Sequence, residues 1–238
     1  TETDIEVSCS KTREMIDAGQ LEGWDDIRLP FLGAMKKRGY MPAAFHRFTK
    51  EIGVTQNDKT VPIHEFLKTI SAFNKEIIDK AANRYFFVEN PVEVIIKNAP
   101  KKHIVMDKHP DYRKGGRTFE TSTRFYLAKK DVDDFADNEL CRLIDCMNFV
   151  RNDGELVFVS EAYADYKQRG KKIIHWLPQE EDVVDVSVRM PDNAVVTGYG
   201  ENEIAEIEIG AIVQFERFGF CRLESIEGNE YRFWFAHR

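Results

Sequence analysis

Over the first third of the chain, apolar residues recur three or four positions apart, the spacing of one buried helix face. Residues 13–18 form a short helix, with Ser10 as its predicted N-cap and Gly19 as its stop. Ile27, Phe31, Leu32 and Met35 keep the same spacing. Asp25 and Asp26 supply N-cap carboxylates there, and Lys36, Lys37, Arg38 and Gly39 end the turn. Pro42 opens another helix, whose stripe is Ala44, Phe45, Phe48 and Ile52 and whose end is Gly53. Ile63, Phe66, Leu67, Ile70, Phe73, Ile77 and Ala81 predict a longer helix over 62–83, with start signals at Asp58 to Thr60. His64 falls off that stripe and is expected on the surface, without a ligand partner.

At Arg84-Tyr85-Phe86-Phe87-Val88 the period changes. Strands are predicted over 92–97, 103–106, 118–127, 141–150, 155–163, 171–176, 182–189, 204–209, 211–218, 220–226 and 230–236. Gly115-Gly116, Asn152-Asp153-Gly154, Arg169-Gly170, Pro191-Asp192-Asn193 and Glu227-Gly228-Asn229 mark turns. The spacing of Ile212, Phe215 and Phe218 breaks strict alternation and predicts a bulge near Gln214. So many strands without intervening helices imply closed or nearly closed barrels, and about 150 residues leave room for two. His175-Trp176 marks the expected crossing between them. The fold class is thus α+β and multidomain: a small all-α domain, then two antiparallel β-barrels.

Composition alters this picture in two places. The 238 residues carry a net charge of -7, an unpromising sum for a nucleic-acid partner. The distribution is uneven: residues 86–130 hold 10 Lys+Arg against 5 Asp+Glu, and residues 131–238 hold 11 against 23. Lys97, Lys101, Lys102, Lys108, Arg113, Lys114 and Arg117 make the middle block a candidate phosphate surface, or equally a solvated loop. Cys9, Cys141, Cys146 and Cys221 form no CxxC or Cys/His pair, so neither a disulfide framework nor a zinc site is expected, in a reducing cytosol, and Cys141 and Cys146, in strand-like sequence, are expected as core thiols. No run approaches the roughly 20 apolar residues of a membrane span. A first residue of Thr1 suggests a fragment.

Particular wording goes further than periodicity. Gly23-Trp24-Asp25-Asp26-Ile27-Arg28, then Lys36-Lys37-Arg38-Gly39-Tyr40 and Ile52-Gly53-Val54, resembles the helical segment after the catalytic domain of glutaminyl-tRNA synthetases and archaeal-type glutamyl-tRNA synthetases. In that family it braces the inner bend of the tRNA. Ala82-Asn83-Arg84, Val88 to Val92, Ile173-Ile174-His175-Trp176 and Gln214 to Cys221 resemble the family's two-barrel anticodon-binding region, in the same order. Those barrels share a fold with a ribosomal protein that binds the small RNA of the large subunit. Ser8-Cys9-Ser10-Lys11-Thr12 resembles the family's second class I signature loop, with serine in place of its first lysine.

The resemblance implies the following organisation. Residues 1–21 would end a catalytic domain. Residues 22–87 would be the helical stem-contact domain, 88–175 the first barrel and 176–238 the second, with strands possible to exchange between them. Lys11, with Ser10 in the same loop, would stabilise ATP phosphates. Arg84, Gln214 and Arg217 would converge on the central anticodon base, with Arg142 as a further anticodon candidate. Without the resemblance, Arg84 and Arg217 read rather as partners of barrel acids such as Glu216. Arg28, Lys36, Lys37, Lys101 and Lys102 would contact the tRNA backbone.

The residues show no Gly-rich phosphate loop, no Ser/His/Asp constellation and no metal-ligand spacing. The family's first signature, His-Ile-Gly-His, and its nucleotide-binding domain are missing. The expected whole is a glutamate–tRNA ligase using ATP and Mg²⁺, acting on tRNA(Glu) and possibly tRNA(Gln) as a cytoplasmic monomer. This chain alone is expected to bind no cofactor and to be inactive. The alternatives are the C-terminal portion of a glutaminyl-tRNA synthetase and a non-catalytic RNA-binding or ribosomal barrel module.

Overall fold

A computed structural model describes residues 8–53 and 61–238. Six α-helices occur among the described residues: α1 (Cys9–Asp17), α2 (Leu32–Arg38), α3 (Pro42–Ile52), α4 (Ile63–Ile78), α5 (Lys129–Asp133) and α6 (Tyr163–Arg169). The start signals expected at Asp58 to Thr60 lie outside the described residues. Met35, Tyr40, Ala44, Ile70 and Phe73 join α2, α3 and α4 in one small core. Gly39 takes φ +99°, the left-handed conformation that a helix C-terminus needs and that glycine adopts without strain.

Two helix starts differ from expectation. Residues 25–31 are not helical, and α2 begins only at Leu32. The Asp26 carboxylate accepts from the backbone N–H groups of Glu22 and Arg28 and from both Nε and Nη2 of Arg28. Such local side-chain bonds compete with helix formation, and Pro30 disfavours the helical conformation at the residue before it. Similarly, Ser8 rather than Ser10 stands at the N-cap of α1, so Ser10, Lys11 and Thr12 lie inside a helix and not in a loop.

The first seven-stranded sheet is assembled from both ends of the strand region. Its order is β1 (Asn83–Tyr85), β14 (Ile212–Phe215), β15 (Gly219–Glu227), β16 (Glu230–His237), β12 (Val183–Arg189), β13 (Val195–Glu201) and β2 (Phe87–Glu89). Its two outermost strands, β1 and β2, are separated in the chain by Phe86 alone, so the sheet is wrapped nearly closed. Tyr85, Phe87, Val186, Val213, Phe215 and Phe233 fill its interior.

A second sheet has the order β10 (Gly170–Ile174), β7 (Leu140–Leu143), β8 (Asn148–Asn152), β9 (Glu155–Ser160), β3 (Pro91–Lys97), β6 (Arg124–Ala128) and β11 (Leu177–Pro178). Only His175 and Trp176 separate its outermost strands. Trp176 is therefore not a crossing between sheets; it is fully buried in this core against Phe86, Phe119 and Phe125. A two-stranded ribbon, β4 (Lys102–His109) with β5 (Arg113–Thr121), completes the strands.

Several strand expectations are corrected. The sheets are mixed: β1 with β14, β7 with β10, β3 with β9 and β12 with β16 pair in parallel. Residues distant in sequence meet without a hairpin to set their direction. The helix expected to reach 83 stops at Ile78, because Asn83 to Tyr85 pair with β14. Residues 202–206 form a 3₁₀ helix rather than a strand. Gly115 and Gly116 lie inside β5, and the ribbon turns instead between His109 and Arg113. Strand β14 pairs with β15 without a register shift at Gln214; the irregularities fall in β15 against β16, between Phe220 and Cys221 and between Leu223 and Ser225. Strand β13 escaped notice because it contains Gly198 and Gly200. A Cβ on Gly198 would come within 2.0 Å of the Val88 carbonyl oxygen, so glycine is what lets β2 approach.

Candidate nucleic-acid interface

β1 is the short segment on which the site is built. It enters the sheet directly after α4 and pairs in parallel with β14, setting Arg84 opposite Gln214. Neighbours in register project to the same face. Two of the three residues expected to meet are thereby brought together from 130 positions apart. Arg84 Nε and Gln214 Oε1 are both buried, and neither has a hydrogen-bond partner. A buried donor beside a buried acceptor, each unpaired, is costly unless a ligand takes up the bonds.

Arg84 Nη2 stands 3.8 Å from one oxygen of Asp79, the C-cap residue of α4. His109 Nε2 stands 3.8 Å from the other oxygen. His109 is fully buried at the end of β4, and its ring packs on the exposed Tyr112. Neither Asp79 nor His109 was marked by sequence spacing, since each belongs to a different element and meets Arg84 only through the fold.

Arg217 is placed differently. It occupies the tight turn after β14 with φ +65°, and its guanidinium forms two bonds of 2.7 and 2.8 Å to Asp131 of α5. Its Nη1 also donates to His175 Nδ1 at 3.1 Å. Burial and the neighbouring guanidinium push the His175 pKa down to about 4. Glu216, the partner weighed for these arginines, is instead held by Arg117 at 2.8 Å. Arg117 is buried, bonds Glu201 through Nε, and lies over the Phe86 ring. It ties the ribbon to the nearly closed sheet through Glu201 and Glu216.

Arg142 lies in the other sheet, on β7, buried and bonded to Asn148 Oδ1 and the Glu161 carbonyl. The backbone-contact candidates divide by partner. Arg28 is committed to Asp26 and the Gln20 carbonyl, Lys37 pairs with Asp25, and Lys102 pairs with Glu161. Lys36 and Lys101 are exposed. Of the middle basic block, Lys97, Lys108 and Lys114 pair with carboxylates, and Arg113 donates to the carbonyls of Lys80 and Ala82. Much of that block's excess charge is thus met by acids from elsewhere in the chain. Ser10 and Lys11 are exposed in the first turn of α1, remote in sequence from β1.

Cys141 and Cys146 are buried thiols, as expected; Cys221 is buried as well, and Cys9 is exposed. Burial pushes the Cys141 and Cys146 pKa values up to about 11 and about 12. Among the described residues, no group of three His, Cys, Asp or Glu gathers as a metal site. No helix among them is long and apolar enough to cross a membrane.

Residues 82–166 match the family model for the anticodon-binding domain of class I tRNA synthetases for E and Q, and residues 173–224 match a second model of the same description. The chain belongs to this synthetase family. Together the two matches take in β1 and β14, and so Arg84 and Gln214. Among curated relatives, the glutamate–tRNA ligase of Methanobrevibacter smithii is 36% identical over 99% of this chain and 41% of its own length. Those of Methanocaldococcus jannaschii and Methanothrix thermoacetophila are 35% and 38% identical, over 99% and 97% of this chain. This chain spans about two fifths of the length of these relatives.

Proposed function

We propose that this chain is the tRNA- and anticodon-binding part of a glutamate–tRNA ligase. The whole enzyme would activate glutamate with ATP and Mg²⁺ and transfer it to tRNA(Glu). The organisation that fits this reading is a helical stem-contact part followed by two barrels, each wrapped from one seven-stranded sheet. The late strands complete the sheet that β1 and β2 begin.

The observation that carries the reading is the Arg84–Gln214 pair. Glutamate codons have adenine in the centre, so the central anticodon base is uracil. Its edge offers an N–H beside carbonyl oxygens. Gln214 Oε1 is an unpaired acceptor for the former, and Arg84 Nε an unpaired donor to the latter. Arg217 would join them by exchanging Asp131 for the base. Glutamine anticodons share the central uracil, so this pocket does not separate the two tRNAs. Exposed cations such as Lys36 and Lys101 would contribute phosphate contacts that carry no sequence information. Ser10 and Lys11, at the start of a helix, would meet ATP phosphates in the whole enzyme. No residue of this chain is assigned to Mg²⁺.

The test is binding of tRNA(Glu) and of a transcript with the central uracil changed to cytosine. Arg84→Ala and Gln214→Ala should each cost about 1–3 kcal/mol on the first, the scale of a specific base contact, and little on the second. Equal losses on both transcripts would overturn the reading.

A further inference from the structure

We infer that Asp79 and His109 are positioning residues for Arg84, holding its guanidinium away from Gln214 so that both remain available to a base. This rests on the proposed function and concerns how its pocket is kept open.

Three independent observations lead there. First, Asp79 is the C-cap of α4, where its carboxylate faces the negative end of the helix dipole. An acidic residue in that place works against the helix, and a local rule broken in a folded protein points to a role outside local stability. Second, its two oxygens face two different elements at the same 3.8 Å: Arg84 Nη2 on β1 and His109 Nε2 on β4. The carboxylate thus sits as a bridge between the base-reading strand and the ribbon. Third, the tautomer of His109 is fixed. The backbone N–H of Asp111 donates to His109 Nδ1 at 3.1 Å, so Nδ1 carries no proton and the neutral ring has its N–H at Nε2. That N–H is buried and makes no hydrogen bond; the carboxylate of Asp79 is the acceptor it faces.

The consequence for Arg84 is geometric. Arg84 and Gln214 are register neighbours, so an unrestrained guanidinium would fold onto the amide oxygen beside it and satisfy both groups internally. The attraction of Asp79 draws the far nitrogen of the guanidinium toward α4, and Arg84 Nε and Gln214 Oε1 stay unpaired. His109, locked by Asp111 on one side, holds the carboxylate on the other. The 3.8 Å separations can shorten when ligand binding draws the pocket together.

Substitutions at two positions in the full chain separate positioning from support. Asp79→Ala removes an anion from the wrong end of a helix, so the thermal midpoint should hold or rise. Binding of tRNA(Glu) should nevertheless weaken about tenfold, and the preference over the central-cytosine transcript should shrink by the same factor. His109→Asn keeps an acceptor for Asp111 N–H and deletes the Nε2 donor; it should lower the preference several-fold. His109→Gln, which places an amide N–H near the lost Nε2, should restore part of it. A fall in midpoint with unchanged preference, or equal weakening on both transcripts, would overturn the inference. Arg84→Ala run alongside distinguishes the two levels. If Arg84→Ala lowers the preference and Asp79→Ala does not, only the positioning role fails. If neither does, the anticodon reading fails with it.

Discussion

The Arg217–Asp131 pair makes an asymmetric prediction that separates a structural tie from a recognition element. Asp131 is the buried partner, with 11% of its side chain exposed, whereas 37% of Arg217 is open to solvent. Arg217→Ala strands a carboxylate that has lost two charged hydrogen bonds. Each such bond contributes about 1.5–3 kcal/mol when well shielded. Discounting for the exposed guanidinium gives a loss of about 2 kcal/mol for the variant. Asp131→Ala frees a guanidinium that water can reach, and should cost about 1 kcal/mol. Urea unfolding at pH 7 measures both, and the double variant should fall short of their sum. tRNA binding supplies the other half. If Arg217 exchanges Asp131 for the base, Arg217→Ala weakens tRNA(Glu) binding while Asp131→Ala leaves it unchanged or tighter. Equal stability losses would refute the burial argument. Equal losses of tRNA affinity would show that Arg217 acts only by holding its turn.

Other outcomes follow from the same geometry. Burial holds His175 and His237 neutral, each with its pKa lowered to about 4, below the value of about 6.5 in the unfolded chain. Their contribution is therefore complete above pH 6.5 and lost as pH falls toward 4, by at most about 3 kcal/mol each, read from denaturant midpoints across pH. Asp26 adds a further loss at lower pH: burial raises its pKa, but the Arg28 guanidinium and two backbone N–H groups outweigh that and hold it below the usual carboxylate range. A thiol reagent at pH 8 should label Cys9 alone in the folded chain, as mass spectrometry would show; labelling of Cys141 or Cys146 without denaturant would contradict their burial. Lys101→Ala should weaken both tRNA transcripts alike and lower the salt slope by about one, whereas Lys102→Ala, already paired with Glu161, should change the slope less.

The helical third was legible where caps and stripes agreed, as at Gly39 and across Pro42 to Ile52. It failed where a side chain took over backbone bonding, as Asp26 does before α2. Most antiparallel strands left a visible alternation. The parallel pairings did not, because no turn signal joins β1 to β14 or β12 to β16. At the candidate site, Arg84 and Gln214 were reachable through the wording around them, and the register sets them opposite each other. Asp79 and His109 were not, because a C-cap acid and a strand-end histidine carry no periodic signal. The basic block was misleading for a related reason: its partners, Glu155, Glu161 and Glu206, lie far along the chain.

The wrapping of the first sheet also bears on how the chain acquires its shape during synthesis. β1 and β2 leave the ribosome well over a hundred residues before β14, the strand that pairs with β1. Phe87 and Val88 wait for β13, and Tyr85, buried in the finished fold, waits for β14. The segment is short, apolar and rich in β-formers, the kind that associates with other chains when left waiting. Closure is then a late, long-range event of the kind that slows folding, and the Arg84–Gln214 pair is formed by that same step. A chain halted before residue 212 would carry Arg84 without the Gln214 that stands opposite it, and the candidate site would be unformed.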